Sequence, residues 1–409
     1  MIGSNLKIIK GKLFVYRIYD ISHEINLKQA QICLEKMTGS DSVRRYELKK
    51  DPLRKITMRE VPLILSGGEE DFNVYIDNKL NKLKLNLEIK IWDYGALSLS
   101  YKIDISNLSW KELISLGSIL ESESYIDRLS KFKKDEISRK IKESLSGQYN
   151  HDEYEDYITY VIEEVEERAA KCPPKKIKNP IDLIKSAPIP ELLLAETAKS
   201  LSDSTKKSVL ANLSQYTNKD ALILDWNSSL IIDFTKEKEY KEYLDIIEFS
   251  ITQLLELRIY DQILDERLEE LYRSIETNKH SEITDFYSKL STESGQLYLE
   301  FSDFFEKLDG SIKTAGDFYS SKVLKSAGKR LGFNELKQTM SRKIEMLSKL
   351  SKMLQSKVDS LVDEKRNQIG EDNIKKSHKV EVSILILIII EAIPTLKEFY
   401  LYLISRFNY

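Results

Sequence analysis

Between positions 83 and 105 every second residue is apolar on both sides of a short turn: Leu83, Leu85, Leu87, Ile89 and Ile91 precede Asp93-Tyr94-Gly95, and Leu97, Leu99, Tyr101, Ile103 and Ile105 follow it. A period of two puts all of these side chains on one face of an extended strand and scatters them around a helix. The segment is therefore a β-hairpin with one buried face. Ser109 and Glu112 then form a capping box, in which the Ser oxygen and the Glu carboxylate satisfy free backbone N–H groups reciprocally, and a helix starts there. Upstream, Leu13 to Ile18 has strand character and Leu27 to Met37 the pattern of an amphipathic helix.

A second hairpin pattern joins Ala221-Leu222-Ile223-Leu224 to Leu230-Ile231-Ile232 around Asn227-Ser228. Both hairpins pair Trp with Asp near the turn, as Trp92-Asp93 and as Asp225-Trp226. Tyr157 to Ile162 and a helix from about Glu191 to Leu201 precede the second hairpin, and another helix follows it. The order strand, helix, hairpin, helix thus occurs twice. This predicts an α+β head of two ferredoxin-like βαββα modules, residues 1–150 and 151–237. Tyr154, Tyr157, Ile158, Val161, Ile162 and Val165 also fit helical spacing, so both readings of that segment stand at this stage. Lys171-Cys172-Pro173-Pro174-Lys175-Lys176 reads as a proline-punctuated, solvated linker between the modules.

From Tyr240 the pattern is helical, and residues 238–376 are expected to form a long antiparallel helical hairpin, a coiled-coil-like arm, with Gly310 and Gly316 marking a bend. Met340, Leu347, Leu354 and Leu361 recur at seven-residue spacing, with Leu336, Ile344, Leu350 and Val358 filling in and Lys343 and Lys357 interrupting one seam. That seam is the expected site of self-association into a homo-oligomer. A charged share of 32%, above the usual quarter, suits long solvated helices.

Residues 377–409 hold the most apolar run in the chain: Val382, Ile384, Leu385, Ile386, Leu387, Ile388, Ile389 and Ile390, flanked by Glu381 and Glu391. Fourteen helical residues reach only ~21 Å against a hydrocarbon core of roughly 30 Å. A fully buried core helix and a marginal membrane helix therefore compete. The basic flank of Lys375, Lys376, His378 and Lys379 favours the membrane reading, with membrane lipid as partner. Met1 to Lys12 contains no apolar run of signal-peptide length, and Cys33 and Cys172 lie far apart. The expectation is a single-pass C-terminal anchor with the head in a reducing cytoplasm.

Catalytic chemistry is not evident. Lys+Arg (63) and Asp+Glu (66) nearly cancel, so no global field recruits a polyanion. His23, His151, His280 and His378 lack metal-ligand spacing, no phosphate-binding loop occurs, and Gly67-Gly68 resembles a turn. No catalytic residue, metal, cofactor or small-molecule substrate is assigned. The Glu163-Glu164 and Glu166-Glu167 pairs read as a solvated face, and Lys171 to Lys178 as a solvated stretch able to touch anionic lipid or RNA. Asp225, Trp226, Glu256, Arg258 and Asp261 are structural candidates, Asp225 closing the hairpin and Trp226 covering a sheet edge. An enzyme with an unmarked site would draw on Asp225, Glu256, Arg258 and Asp261. A membrane-tethered RNA- or ribosome-associated factor would need aromatics such as Tyr16, Trp92 and Tyr101 on an open sheet face.

Leu254-Leu255-Glu256-Leu257-Arg258-Ile259-Tyr260-Asp261 with Leu264-Asp265, then Arg342-Lys343-Ile344-Glu345-Met346-Leu347, then the basic stretch running into Ile384 to Ile390 and Glu391, resemble the required-for-meiotic-nuclear-division family of membrane proteins over roughly 220–393. The resemblance implies a helical pair, a short C-terminal membrane helix carrying a Glu near its end, self-assembly and no established enzymatic activity. Eukaryotic relatives are implicated in mitochondrial inner-membrane organisation and support of translation; this chain lacks an evident mitochondrial presequence. The sequence reading is a non-enzymatic membrane-anchored scaffold.

Overall fold

The computed structural model describes residues 6–38, 43–45, 61–77, 79–122, 124–147, 153–168, 173–198, 200–237, 240–277, 285, 287–296, 298–299, 302 and 318–371. The strands are β1 (Leu6–Asp20), β2 (Glu24–Ile25), β3 (Val43–Arg45), β4 (Leu63–Ile76), β5 (Lys79–Ile91), β6 (Ala96–Asp104), β7 (Leu145–Ser146), β8 (Tyr154–Glu167), β9 (Lys175–Ile177), β10 (Leu213–Ser214), β11 (Asp220–Leu224) and β12 (Ser228–Asp233). The helices are α1 (Leu27–Thr38), α2 (Trp110–Glu121), α3 (Ser124–Lys140), α4 (Pro180–Ser186), α5 (Ile189–Leu193), α6 (Asp203–Leu210), α7 (Tyr240–Thr277), α8 (Phe318–Arg330) and α9 (Phe333–Glu371). Two compact units arise, residues 1–267 with 301–343, and residues 268–300 with 344–409.

The first unit is mixed α+β and is built on one ten-stranded sheet in the order β10-β11-β12-β8-β1-β6-β5-β4-β3, with β9 added to β8. The expected hairpins are β5–β6 and β11–β12, and Tyr157 to Ile162 is strand. Two separate ferredoxin-like sheets do not occur among the described residues. In each half the first strand lies beside the last hairpin strand, β1 beside β6 and β8 beside β12, and this is the repeat seen in the sequence. β1 and β8 then pair antiparallel from Leu6↔Glu167 to Tyr19↔Tyr154 and fuse the halves. Two separate modules would each leave a long apolar edge unpaired, and fusion removes both edges. The halves also differ in direction: β1 and β6 are antiparallel, whereas β12 and β8 are parallel, which a ferredoxin-like module does not allow.

The described part of the proline-punctuated stretch, Pro173 to Lys176, is exposed as expected, but it is not irregular throughout. β9 folds back onto β8, setting Lys175 and Lys176 opposite Glu167 and Glu166, and Lys176 Nζ lies 2.7 Å from a Glu164 oxygen. Glu163 is buried and pairs with Lys10 and Lys12 at 3.2 and 3.0 Å, so the acidic run is largely neutralised. The helix expected over 191–201 is interrupted. α5 ends at Leu193, Ala195 takes φ +48°, and the Glu196 amide closes back on the Glu191 carbonyl before α6 begins. Gly67-Gly68 is a bulge inside β4, where the register with β5 shifts between Ser66 and Gly68.

Strand alternation sorts side chains onto two covered faces. Leu13 and Val15 of β1, Ile158 and Tyr160 of β8, and Leu97 and Leu99 of β6 enter a core shared with Trp110 and Leu113 of α2 and Leu183 of α4. Tyr16 and Ile18, Tyr157 and Val161, and Leu222 and Leu224 enter a second core against Ile247 and Ile251 of α7 and Val323 and Leu324 of α8. Central strands buried on both faces read as unbroken apolar runs, as in Ala221-Leu222-Ile223-Leu224. The capping box stands: the Glu112 amide donates to Ser109 Oγ at 3.2 Å and the Ser109 amide to Glu112 at 2.8 Å.

The second unit is helical. Leu268, Leu271, Leu290, Leu347, Leu350 and Leu354 are buried in it, and Ser291 Oγ donates to Gln355 Oε1 at 3.2 Å. Among the described residues no helix is long and apolar enough to cross a membrane. The expected membrane segment, its lysine flank, and the bend at Gly310 and Gly316 lie outside the described residues.

Candidate functional site

The polar chemistry of the first unit concentrates between the sheet and α7. Lys90 occupies the face of β5 opposite its leucines and is buried. Its Nζ donates to Asp245 at 2.9 Å and to Glu248 at 2.6 Å, and Ser98 Oγ donates to the other Glu248 oxygen at 2.6 Å. Burial pulls the Lys90 ammonium down, but Glu248, Asp245 and Glu88 outweigh it and hold the lysine charged. Each partner is satisfied, so the network reads as structural.

Two helical turns further along α7 the balance changes. Glu256 is buried at 5% exposure, and its Oε1 has no hydrogen-bond partner among the described residues. Burial raises its carboxyl well above the usual range, and the neighbouring charges of Asp20 and Asp93 add to the shift. Asp20, at the end of β1, is raised to about 7 by burial, opposed only by the Ser22 amide donating to it at 3.2 Å. Glu256 of α7 and Asp20 of β1 are thus two poorly solvated carboxyls, and half-buried Asp93 of the β5–β6 turn adds its charge beside Glu256. Among the described residues no group of three or more His, Cys, Asp or Glu is placed to hold a metal ion.

The other candidates separate. Asp225 Oδ1 accepts from Arg330 Nε at 2.9 Å and from the Trp226 amide at 2.8 Å, while Tyr157 Oη donates to the Asp225 and Ser228 carbonyls. Leu224, Ile247, Ala327 and Leu331 surround this contact, so Asp225 faces an apolar wall and a guanidinium. Arg258 donates to Glu155 at 2.6 Å, and burial raises Glu155 to about 7 against that pull. Asp261 and Asp265 both take Lys343 at 2.7 Å. Asp225, Glu256, Arg258 and Asp261 thus serve four different contacts. Met340 is buried in the first unit; Leu347 and Leu354 are buried in the second and Leu361 is half-buried there.

Trp226 corrects one expectation: it does not cover a sheet edge but stands 60% exposed at the hairpin tip. Trp226→Ala is accordingly expected to change stability by less than about 0.5 kcal/mol. Asp225→Ala, which strands the partly buried Arg330, should cost roughly 3 kcal/mol; thermal melts of the two variants check the contrast. The aromatics needed for RNA are also placed otherwise. Tyr16, Trp92 and Tyr101 are all buried, because helices cover both sheet faces.

The Lys90 cluster escapes a sequence reading because a polar residue at an alternating strand position ordinarily faces water. Trp92, two residues beyond Lys90 on the same face, is the available signal that this face is covered.

The family model described as "Uncharacterized protein MJ0711, N-terminal domain" matches residues 10–239, which take in nearly all of the sheet. Uncharacterized protein MJ0711 of Methanocaldococcus jannaschii is 27% identical over 164 residues, 39% of this chain and 48% of that relative. The match thus spans about half of the relative's length. No solved structure matches. Neither comparison shows the required-for-meiotic-nuclear-division family, to which only arm and tail residues pointed.

Proposed function

The chain belongs to the family described as "Uncharacterized protein MJ0711, N-terminal domain", and from that premise we propose a non-enzymatic, membrane-anchored scaffold that self-associates through its helical arm. The observation that carries this reading is where the charged candidates go. Asp225, Arg258 and Asp261 are each paired with one opposite charge within the fold, at separate places. The long helices fit a spacer: α7 has 38 residues and α9 has 39, each ~57 Å at the helical rise. Behind them in sequence come Lys375, Lys376 and Lys379 and then the run from Val382 to Ile390. On this reading that run anchors a cytoplasmic head to lipid in a single pass.

Leu347 and Leu354 are buried within the chain, so they supply the arm's own core. Met346 and Met353, each one residue earlier and both exposed, repeat the seven-residue spacing on the outer face and offer a second copy its seam. Two measurements test the proposal. Full-length chain should float with liposomes, whereas a chain ending at Lys379 should stay in the soluble fraction; soluble full-length protein removes the anchor. Met346→Lys/Met353→Lys should lower the mass measured by light scattering to that of one protomer; an unchanged mass removes the seam.

A further inference from the structure

Glu256 sits at the middle of a three-point attachment of α7 to the head. One turn before it, Thr252 Oγ1 and Tyr94 Oη lie 2.7 Å apart; one turn after it, Tyr260 Oη lies 2.9 Å from His23 Nδ1. Thr252, Glu256 and Tyr260 are four residues apart and so share one helical face. The two outer points are ordinary hydrogen bonds. The middle point sets a buried carboxyl with an orphaned oxygen against Asp20 and Asp93. The same head segments are tied to each other: the Ile21 amide donates to the Gly95 carbonyl at 3.1 Å and the Ile25 amide to the Asp93 carbonyl at 2.8 Å.

We propose that Glu256 and Asp20 form a proton-operated latch, beside Asp93 of the β5–β6 turn, that holds α7 against the β1 end and that turn when the two are protonated and loosens it when they ionise. Water cannot reach an ionised Glu256 Oε1 in this packing, and any charge on Asp20 or Asp93 disfavours a second one there, so the seated state needs a proton on Glu256. Tyr94, Tyr260 and His23 are the titratable groups of the two flanking contacts; Arg258, on α7 as well, is taken up by Glu155. Tyr94 is raised well above its usual range by burial and stays neutral throughout. No lysine or arginine is among the groups that shift Glu256, unlike Glu248 two turns earlier, which has Lys90.

The sign follows from linkage. A carboxyl raised in the fold binds its proton more tightly folded than unfolded, so stability falls as pH climbs from the ordinary carboxylate range toward the folded value, about 7 for Asp20. This inference does not depend on membrane attachment or self-association.

The test uses the full-length chain in detergent from pH 5.5 to 8.5. The unmodified chain should lose roughly 4 °C of Tm across that range, and Glu256→Gln should remove most of the loss. Pulse-labelled hydrogen exchange, corrected for intrinsic pH dependence, should show the Ile21 and Ile25 amides at least ~10-fold less protected at pH 8.5 than at 5.5 in the unmodified chain, and unchanged in Glu256→Gln. Asp93→Asn, which leaves the α7 contact sterically intact, should halve the effect if Glu256→Gln fails to fold. Equal pH slopes in the unmodified and variant chains overturn the latch. So does recovery of Tm at pH 8.5 by millimolar calcium, which would make the carboxyls a cation site.

Discussion

Lys90→Met is expected to destabilise the first unit by roughly 3–5 kcal/mol, because it removes the cation and leaves Glu248 buried with a charge nothing neutralises. The methionine is close in volume, so the loss reports charge and not packing. Ser98 remains as one donor to Glu248, which is too little for an ionised carboxylate away from water. The double variant Lys90→Met/Glu248→Leu should regain most of the loss, since replacing both members of a buried pair by apolar groups is often neutral. Asp245 is partly exposed and can be solvated when Lys90 goes. Burial already raises the Glu248 carboxyl and Lys90 is what opposes that, so without the lysine the loss should be smallest near pH 5, where Glu248 can take up a proton, and should grow as pH rises. Chemical denaturation of the single and double variants decides the matter; a double variant as unstable as the single one would place the effect in packing.

Gly95→Ala should be comparably damaging, roughly 3–4 kcal/mol. Gly95 has φ +102°, and a Cβ there would meet the Ser22 carbonyl oxygen at 1.7 Å and Asp20 Oδ1 at 3.0 Å. A backbone carbonyl cannot rotate out of the way, so the β5–β6 turn must part from the segment after β1, breaking the Ile21-to-Gly95 hydrogen bond. Gly68 is the internal control. Its φ is +90°, yet a methyl group added there would have nothing within 4 Å, so Gly68→Ala should cost only backbone strain, about 1 kcal/mol. Similar losses at both glycines in a thermal melt would show that conformation alone matters and that the turn is not clamped.

Local signals are legible wherever a short stretch carries its own period. The β5–β6 hairpin, its Asp93-Tyr94-Gly95 turn and the capping box opening α2 are all readable, because each is decided by contacts a few residues apart. Tyr157 to Ile162 is ambiguous for a physical reason. β8 is buried on both faces, so its apolar residues do not alternate, and a helix of the same composition looks alike. The repeat is visible as an order of elements, but its two halves pair with opposite direction at β6 and β12, and direction leaves no periodicity to read.

The site is less legible than the fold. Asp225, Arg258 and Asp261 stand out in the sequence, but Arg330, Glu155 and Lys343, which neutralise them, lie 105, 103 and 82 positions away. Glu256 stands out too, whereas Asp20 does not and Asp93 is legible only as a turn residue, since each sits at a strand end where an acidic residue is ordinarily solvated.

From sequence alone follow those features that neighbours along the chain enforce: strand or helix where the period is clean, the turns, the caps, and the long helical stretches. The tertiary structure alone decided that one sheet replaces two, that Lys90 and Glu256 lie out of water, and that Trp226 lies in it. Burial depends on which distant segment covers a face, and solvation free energy, which sets whether a charge is paired, protonated or free, is known only once that cover is in place.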